Sequence, residues 1–286
     1  MIKLNRIRRL PNRAFHKMRR ALNPFVIRLS RYMPPTSLAE SRPVLEFDRN
    51  DKLIIDLGAN DGTDTFFYLK KGFHVVAVEA NPVLCARLER LFARFIREDR
   101  LRVINGGVVD IASQGPVDFY VNHKRSEWSS FIREVGGREG TAFSVIQVPT
   151  ISVAEIFRQF GTPYYLKIDI EGFDESIVKA LARLPFRPRF VSVEEAGFGI
   201  IDSLHAIGAT GFKLISQTRH TSIRPPAKEG RDCFHSFLSG SSGPFGEETP
   251  GKWRPYDEFR LWFIKTVRDE HGHFIDDDWF DVHAKF

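Results

Sequence analysis

The chain has 286 residues, of which 42% are hydrophobic and 27% are charged, and its formal net charge is +6. This composition is typical of a globular protein and excludes a disordered or fibrous one. No apolar run reaches the roughly 18 residues that a membrane-spanning helix requires, and the two cysteines fit neither a metal site nor a disulfide framework, so we expect a globular protein of the reducing cytoplasm.

Residues 1–45 form a basic N-terminal arm. Ten Lys or Arg residues lie between positions 3 and 31, and no acidic residue precedes Glu40. Apolar residues are interleaved at helical spacing, although Pro11 and Pro24 interrupt the pattern. Peripheral contact with the inner face of a membrane, or with another polyanion, is one interpretation. A solvated arm and a mitochondrial presequence are the alternatives.

Residues 46–286 are predicted to form the folded domain, beginning with alternating strands and helices. The β-branched apolar run from Lys52 to Leu57 ends in a glycine-containing turn and predicts a buried parallel strand. The next predicted elements are a helix over 63–71, a strand over 73–79, a helix over 83–97 that begins after Asn81 and Pro82, and a strand over 101–105. This alternation is typical of a doubly wound α/β sheet.

Residues 106–150 interrupt the alternation and predict a β-containing insertion, with a strand over 117–121. The alternation then returns, with helices over 152–160, 173–183 and 200–208 and strands over 163–169, 188–194 and 211–216. Residues 217–286 form a less regular C-terminal part, in which Gly240 to Gly251 is rich in turn-forming residues. The last strand is either Cys233 to Ser239 or Trp279 to Lys285, and we favour the second. The predicted fold is therefore Rossmann-like, α/β and mostly parallel.

Residues at the carboxyl ends of the strands carry the predicted site, because open parallel sheets bind ligands there. The first strand ends at Asp56, and Gly58 and Gly62 in the following turn permit close approach of a ligand to the backbone. Glu79 ends the second strand, where a carboxylate can accept hydrogen bonds from both hydroxyls of a ribose. This arrangement predicts a nucleoside ligand.

The position of Asn60 favours one class of nucleoside. A dinucleotide motif has glycine there, to make room for a pyrophosphate. S-adenosylmethionine carries an amino acid in place of phosphates, and Asp56 and Asp169, at the end of the fourth strand, are placed to meet its ammonium or sulfonium group. Asn105, at the end of the third strand, is a further predicted cofactor contact. No Walker sequence is present, which argues against a nucleotide hydrolase.

Five segments resemble one known family. LIIDLGANDG, VVAVEANP, RVINGGVV, YYLKIDIEGFD and SSGPFGEETPG are similar to motifs of the FkbM family of S-adenosylmethionine-dependent methyltransferases. The resemblance is firm over residues 50–200 and departs from the commoner pattern at Asn81 and at Phe173 and Asp174. It implies a class I methyltransferase fold and an O-methyltransferase that acts on a hydroxyl of a sugar, glycan or other small metabolite.

A hydroxyl is a weak nucleophile, so a general base is expected near the transferred methyl group. The candidates are Glu171, Glu194, Glu195 and His235. Glu171 lies two residues past Asp169, whereas Glu194 and Glu195 end the fifth strand and are alternatively ligands for a divalent cation, although no metal site is predicted. Candidates for the wall of an acceptor pocket are Ser129, Ser130 and the segment 240–251, if that segment folds over the strand ends.

Two other functions fit parts of the sequence. An RNA methyltransferase is suggested by the basic arm, but acidic residues around the fourth and fifth strands disfavour a polyanion there. A non-catalytic cofactor-binding module is the other alternative. Degraded strand-end residues would be expected in such a module, whereas here they are intact. We therefore expect a small-molecule or glycan acceptor, with nucleic acid as the less favoured partner.

Overall fold

The computed structural model describes residues 47–110, 115–195, 197–220, 222–275 and 278–286, so the predicted basic arm lies outside the described residues. The strands are β1 Arg49–Leu57, β2 His74–Glu79, β3 Leu101–Asn105, β4 Gly107–Val109, β5 Val117–Asn122, β6 Phe143–Val148, β7 Thr150–Ser152, β8 Thr162–Ile168, β9 Phe190–Glu194, β10 Gly211–Ser216 and β11 Phe280–Lys285. The helices are α1 Thr63–Lys70, α2 Pro82–Leu91, α3 Ala93–Arg97, α4 Arg133–Gly136, α5 Val153–Phe160, α6 Asp174–Leu181, α7 Phe198–Ala206 and α8 Tyr256–Thr266. Among the described helices, none is long and apolar enough to cross a membrane.

A seven-stranded sheet with the order β10-β11-β9-β8-β1-β2-β3 organises the domain. All neighbouring pairs are parallel except those that involve β11, which runs antiparallel to both β9 and β10. The predicted doubly wound, mostly parallel sheet is confirmed, and so is the choice of the C-terminal segment as the last strand. Residues 233–239 contribute only an isolated bridge, between Ile223 and His235.

Helix boundaries follow the predicted caps, with one difference. Asn81 Oδ1 accepts a hydrogen bond from the backbone N–H of Val83 at 3.0 Å, and Pro82 is the first residue of α2. The helix predicted over 83–97 is interrupted at Phe92, which has φ −108° and ψ 19° and separates α2 from α3. The Phe92 ring is 8% exposed and contributes to the core on the α1 side of the sheet, a tertiary contact that helical periodicity does not reveal.

The turn-rich segment 240–251 covers a face of the sheet and does not line the strand ends, contrary to the expectation above. Phe245 is fully buried and stacks on Tyr165 with 4.8 Å between ring centroids. The backbone N–H of Ser242 donates to the carboxylate of Asp64 at 3.1 Å. Because these contacts fill the space beside α1, the segment has a structural role in the core.

Candidate functional site

A pocket lies at the carboxyl edge of β1, β2 and β8. Six residues singled out from the sequence line it, namely Gly58, Asn60, Glu79, Ser129, Asp169 and Glu171. The remaining lining residues come from the strand ends and from the β-containing insertion, and comprise Val78, Ala80, Gly106, Gly107, Val108, Phe119, Ser126, Glu127, Phe131 and Ile170. The insertion therefore forms one wall of the pocket, a contribution that the sequence suggested only for Ser129 and Ser130.

The turn after β1 is shaped by residues in the left-handed region. Gly58 has φ +82°, and a Cβ atom at this position would lie 1.9 Å from the carbonyl oxygen of Asp169. Gly58 is therefore required by the close approach of the turn to the end of β8. Gly62 is needed for a different reason, because a Cβ there would lie 2.5 Å from Leu88. Its role is packing under the turn, since it does not line the pocket.

Glu79 is held firmly at the end of β2. Its side chain is buried, its Oε2 accepts from the backbone N–H of Asn60 at 2.9 Å, and its Oε1 accepts from that of Asn81 at 2.8 Å. Burial raises the pKa of Glu79, although these two N–H groups act in the opposite direction. Each carboxylate oxygen has capacity for a further hydrogen bond, so the group can also accept from a ribose.

Asn105 supports the backbone beside Glu79. Its Nδ2 donates to the carbonyl oxygens of Glu79 at 3.1 Å and of Ala80 at 3.0 Å. Asn105 is not among the lining residues. Its predicted part in cofactor binding is therefore indirect, through the position of the Glu79 to Ala80 backbone.

Asp56 lies beneath the pocket, where Lys167 of β8 is its partner. Asp56 is fully buried and accepts from Thr65 Oγ1 at 2.6 Å, and its Oδ1 lies 3.4 Å from Lys167 Nζ. The same ammonium donates to the Gly58 carbonyl oxygen at 3.1 Å and lies 3.5 Å from Asp169 Oδ2. Lys167 thus connects two pocket-lining residues on adjacent strands.

Sequence reasoning overlooked Lys167, although a lysine within an apolar strand was a visible signal. Burial by itself would lower the pKa of Lys167, but the surrounding carboxylates, Asp56 and Asp169 foremost, hold the pKa well above its ordinary value. The lysine therefore remains a cation in the interior. It neutralises part of the negative charge beneath the pocket.

Glu171 projects from a tightly braced loop at the pocket edge. Its φ is +51°, an uncommon value for a residue other than glycine. Asp174 braces the loop by accepting from the backbone N–H groups of Ile170 and Gly172, both at 3.0 Å. Arg138 of the insertion donates to Glu171 Oε2 at 2.7 Å, so the direction of the side chain is fixed by a residue that the sequence did not identify.

Glu194 joins Asp169 and Glu171 to form an acidic triad. One carboxylate oxygen from each residue lies within 4.8 Å of the others, and all three residues are half-buried. Oxygen ligands of this kind suit a hard divalent cation, and closely spaced carboxylates can also share a proton. The triad groups the predicted candidates Glu171 and Glu194 with the predicted cofactor contact Asp169.

The structure does not bring Glu195 and His235 to the pocket. Glu195 is buried and forms a bidentate ion pair with Arg268, with distances of 2.7 Å to Nε and 2.9 Å to Nη2. His235 packs against Phe67 and Phe237, at 4.8 Å between ring centroids in both cases, and burial lowers its pKa. Successive residues of an extended segment point to opposite sides, so Glu195 faces away from the acidic triad that Glu194 joins.

Two hydrogen bonds join the insertion, which forms one wall of the pocket, to the strand-end loops that form the opposite wall. Ser126 Oγ donates to Asn60 Oδ1 at 2.9 Å, and Ser130 Oγ donates to the carbonyl oxygen of Glu171 at 2.7 Å. The cavity has a volume of about 70 Å³, whereas ligand pockets typically measure about 300 to 1,000 Å³.

Comparisons with known proteins agree with the chemistry of this edge. A family model described as the methyltransferase FkbM domain matches residues 56–206, more than half of the chain. A comparison with curated proteins finds no match. Among solved structures, the chain is similar to precorrin-6y C5,15-methyltransferase from Geobacter metallireducens GS-15, with 9% identity over 82% of this chain and 80% of that one and a TM-score of 0.38. It is also similar to the glycopeptide N-methyltransferase MtfA in complex with S-adenosyl-L-methionine, with 14% identity, 81% and 80% coverage and a TM-score of 0.28. Likenesses this distant carry no argument about the substrate.

Proposed function

Because the chain belongs to the FkbM methyltransferase family and is an S-adenosylmethionine-dependent methyltransferase, we propose that it methylates a hydroxyl of a sugar, glycan or other small metabolite. The observation that carries this proposal is the acidic lining of the pocket edge. The strand-end segments 58–62, 79–81, 169–175 and 194–197 contain eight Asp or Glu residues and no Lys or Arg. Among the residues that line the pocket itself, Glu79, Glu127, Asp169 and Glu171 are acidic and none is Lys or Arg. A polyanionic acceptor such as RNA would be repelled there, whereas neutral hydroxyls find abundant hydrogen-bond acceptors.

The cofactor is proposed to lie along the ends of β1, β2 and β8. Glu79 would accept from the ribose hydroxyls, and the turn at Gly58 and Asn60 would approach the amino acid part through its backbone. Asp169, whose carboxylate is 31% exposed, would face the ammonium or the sulfonium group. Asp56 would act on the cofactor only through Lys167 and the turn.

Glu171 is the proposed general base. In the reaction the acceptor oxygen forms a bond to the methyl carbon as the carbon–sulfur bond breaks, and the hydroxyl proton passes to the carboxylate. Arg138 holds Glu171 Oε2, and Asp174 holds the loop, so the base is positioned before the acceptor arrives. S-adenosylhomocysteine and the methyl ether are the products.

Transfer of a radiolabelled methyl group tests the proposal. The full chain would be incubated with labelled S-adenosylmethionine and separate pools of neutral sugars and glycans, of amines, and of RNA, each with and without a chelator of divalent cations. We expect transfer to the hydroxyl pool that falls at least tenfold in Glu171→Gln while binding of S-adenosylhomocysteine is retained. Transfer to RNA or amines alone would contradict the proposed acceptor, and loss of transfer with the chelator would show that the reaction requires a divalent cation.

A further inference from the structure

A second cavity opens at the carboxyl edge of the sheet, beyond the pocket. It lies at the end of β10 and the start of β11, where it is lined by Ser216, Phe280 and, from α8, Trp262. β10 runs in the same direction as β9, since both are antiparallel to β11, so the cavity and the pocket share one edge. Its volume is about 330 Å³, and small-molecule sites typically measure about 300 to 1,000 Å³. The cavity therefore has room for part of a small ligand.

The cavity forms where pairing along the outer side of β10 stops. β10 is an edge strand of the described sheet, and Phe212 exchanges backbone hydrogen bonds of 2.8 and 3.0 Å with Arg254. Continued in the antiparallel direction, this pairing would place Pro250 opposite Ser216. Proline has no N–H to donate to a neighbouring strand, and Pro250 instead lines the cavity. A gap is thus left beside the last residues of β10.

Backbone groups of β10 face this gap. In an antiparallel pair, residues alternate between those that bond to the partner strand and those whose N–H and C=O groups face away from it. The N–H of Gln217 donates to the carbonyl oxygen of Trp279 at 2.8 Å, on the side of β11. The backbone groups of Leu214 and Ser216 therefore face away from β11, and both residues line the cavity. A ligand there meets hydrogen-bond donors and acceptors of the main chain.

Aromatic and apolar side chains form much of the remaining wall. Trp262 is half-buried, and the Arg254 guanidinium lies over its ring, 4.5 Å from centroid to Cζ, which helps to fix the position of the ring. Phe280 and Pro244 belong to the same wall. An indole packs well against an apolar surface of a ligand. Together with the main-chain groups, it suits a ligand that combines C–H faces with hydroxyls.

The charge of the cavity wall is balanced. Among the lining residues, Arg219 carries the only permanent charge, and its Nε and Nη2 atoms each lie 2.6 Å from Asp278 Oδ2. His220 is the other lining residue that titrates near neutrality, and burial lowers its pKa from 6.5. The ring of His220 is therefore neutral at pH 7. A neutral ligand fits this wall better than a phosphate or a carboxylate does.

Two other classes of neutral ligand fit the cavity less well. A peptide that adds to a sheet edge pairs with a row of open residues, whereas Phe212 is already paired and leaves only Leu214 and Ser216 on this side of β10. A wholly apolar ligand would bury the main-chain groups of those two residues without hydrogen bonds, which is unfavourable. A ligand with several hydroxyls meets neither objection.

We propose that this cavity binds a neutral saccharide unit of the acceptor, apart from the unit that is methylated. The inference rests on the proposed function, because it extends the acceptor site of the same reaction. Glu194 of the acidic triad ends β9 and Ser216 ends β10, with β11 between them. The two strand ends are thus two strand spacings, or about 10 Å, apart. One sugar ring is too short to reach both places, so the acceptor is a glycan or glycoside of several units.

Saturation-transfer NMR of the full chain with neutral trisaccharides tests the proposal. The probes are trisaccharides of glucose, galactose, mannose and N-acetylglucosamine, added to protein saturated with S-adenosylhomocysteine. We expect at least one of them to bind. Trp262→Ala should weaken this binding at least tenfold, because the aromatic surface is removed, and Trp262→Phe should retain part of it.

Two further variants separate loss of the cavity from loss of the fold. Thr266 lines the cavity from α8, so Thr266→Phe places a ring there and should abolish saccharide binding while Trp262 is kept. Leu261→Ala is the matched control, because Leu261 precedes Trp262 on the same helix, is 62% exposed and does not line the cavity. Its affinity should stay within about twofold of the wild type. All variants are compared at a temperature where circular dichroism shows them to be folded.

Three results would overturn the proposal. These are no trisaccharide binding by the wild type, wild-type affinity in both Trp262→Ala and Thr266→Phe, or binding of a short peptide rich in Val and Thr in place of the saccharides. The last result would assign the edge of β10 to strand addition. Calorimetric binding of S-adenosylhomocysteine should be equal in all variants and in the wild type. Absence of that binding would instead be a failure of the methyltransferase site, so the two failures are distinguishable.

Discussion

Replacing Glu79 by glutamine should weaken cofactor binding while leaving the size of the side chain unchanged. The wild-type carboxylate accepts from the backbone N–H groups of Asn60 and Asn81 and, in the proposed complex, from the ribose hydroxyls. A glutamine side chain offers one oxygen and one N–H₂ group, so at least one donor in the site then faces another donor. Charge-assisted hydrogen bonds contribute about 1.5 to 3 kcal/mol each, which corresponds to roughly a tenfold to hundredfold rise in Kd.

The assay is calorimetric titration with S-adenosylhomocysteine, at a temperature where circular dichroism shows each variant to be folded. Asp61→Asn is the matched control, because Asp61 is an exposed carboxylate in the same turn that does not line the pocket. Asp61 Oδ1 accepts from the backbone N–H of Thr63 at 3.0 Å, and asparagine can do the same. The control should therefore change Kd by less than about threefold.

The pH dependence of binding provides a second test of Glu79. Burial raises its pKa, so the carboxylate that binds the ribose is lost as the pH falls toward that raised pKa. Wild-type binding should weaken on acidification, whereas binding to Glu79→Gln should change less over the same interval. Tight, wild-type-like binding by Glu79→Gln would refute the assignment of the ribose site.

The remaining predictions concern residues beneath or beside the pocket. Lys167→Met should lower the melting temperature and weaken S-adenosylhomocysteine binding at least tenfold, because it leaves the nearby carboxylates without their cation. Lys167→Arg should restore part of the stability and part of the binding. Wild-type values for Lys167→Met would contradict the role of Lys167 as the cation beneath the pocket. Glu195→Gln should reduce the free energy of unfolding by roughly 3 to 5 kcal/mol, because the buried guanidinium of Arg268 loses the carboxylate charge that it pairs with, and kcat should be unchanged where the variant is folded. A lower kcat at an unchanged melting temperature would instead make Glu195 catalytic. His283 is buried, has no hydrogen-bond partner for either ring nitrogen within the described part of the chain, and has a pKa lowered from 6.5 to about 3 mainly by burial. The unfolded chain therefore binds more protons below pH 6.5, and stability from His283 is lost as the pH falls from 6.5 toward 3. His283→Phe should raise the free energy of unfolding by about 1 kcal/mol at neutral pH. The melting temperature of this variant should also fall less than that of the wild type between pH 6.5 and pH 3. A destabilised variant would show that the imidazole ring has a hydrogen-bond partner.

The regular part of the fold was predictable because it depends on local pattern. The run Lys52 to Leu57 is apolar and β-branched, and it lies in an interior strand of the sheet, with Ile54 and Ile55 fully buried. The cap at Asn81 fixed the start of α2 from two adjacent residues. The break at Phe92 and the core position of Phe245 were not predictable, since both depend on which distant residues surround an aromatic ring.

The candidate site also has one part that the sequence predicts and one part that it does not. Parallel strands of similar length place their last residues at one edge, so Gly58, Glu79 and Asp169 could be grouped from the sequence before any coordinates were considered. Sequence order alone could not determine which neighbouring side chain faces the pocket. Glu194 joins the acidic triad, while Glu195, one residue later, pairs with Arg268 on the other side.

The sequence by itself therefore determined the sheet, the methyltransferase family and the strand-end residues, because each of these is written in short segments of neighbouring residues. Only the tertiary structure decided that Lys167 lies between the turn after β1 and the end of β8, and that Arg138 of the insertion holds Glu171. Those contacts join residues far apart in the chain, and no local pattern specifies them. The physical reason is that a buried charge is stable only beside its partner, and the fold alone determines which partner lies close enough.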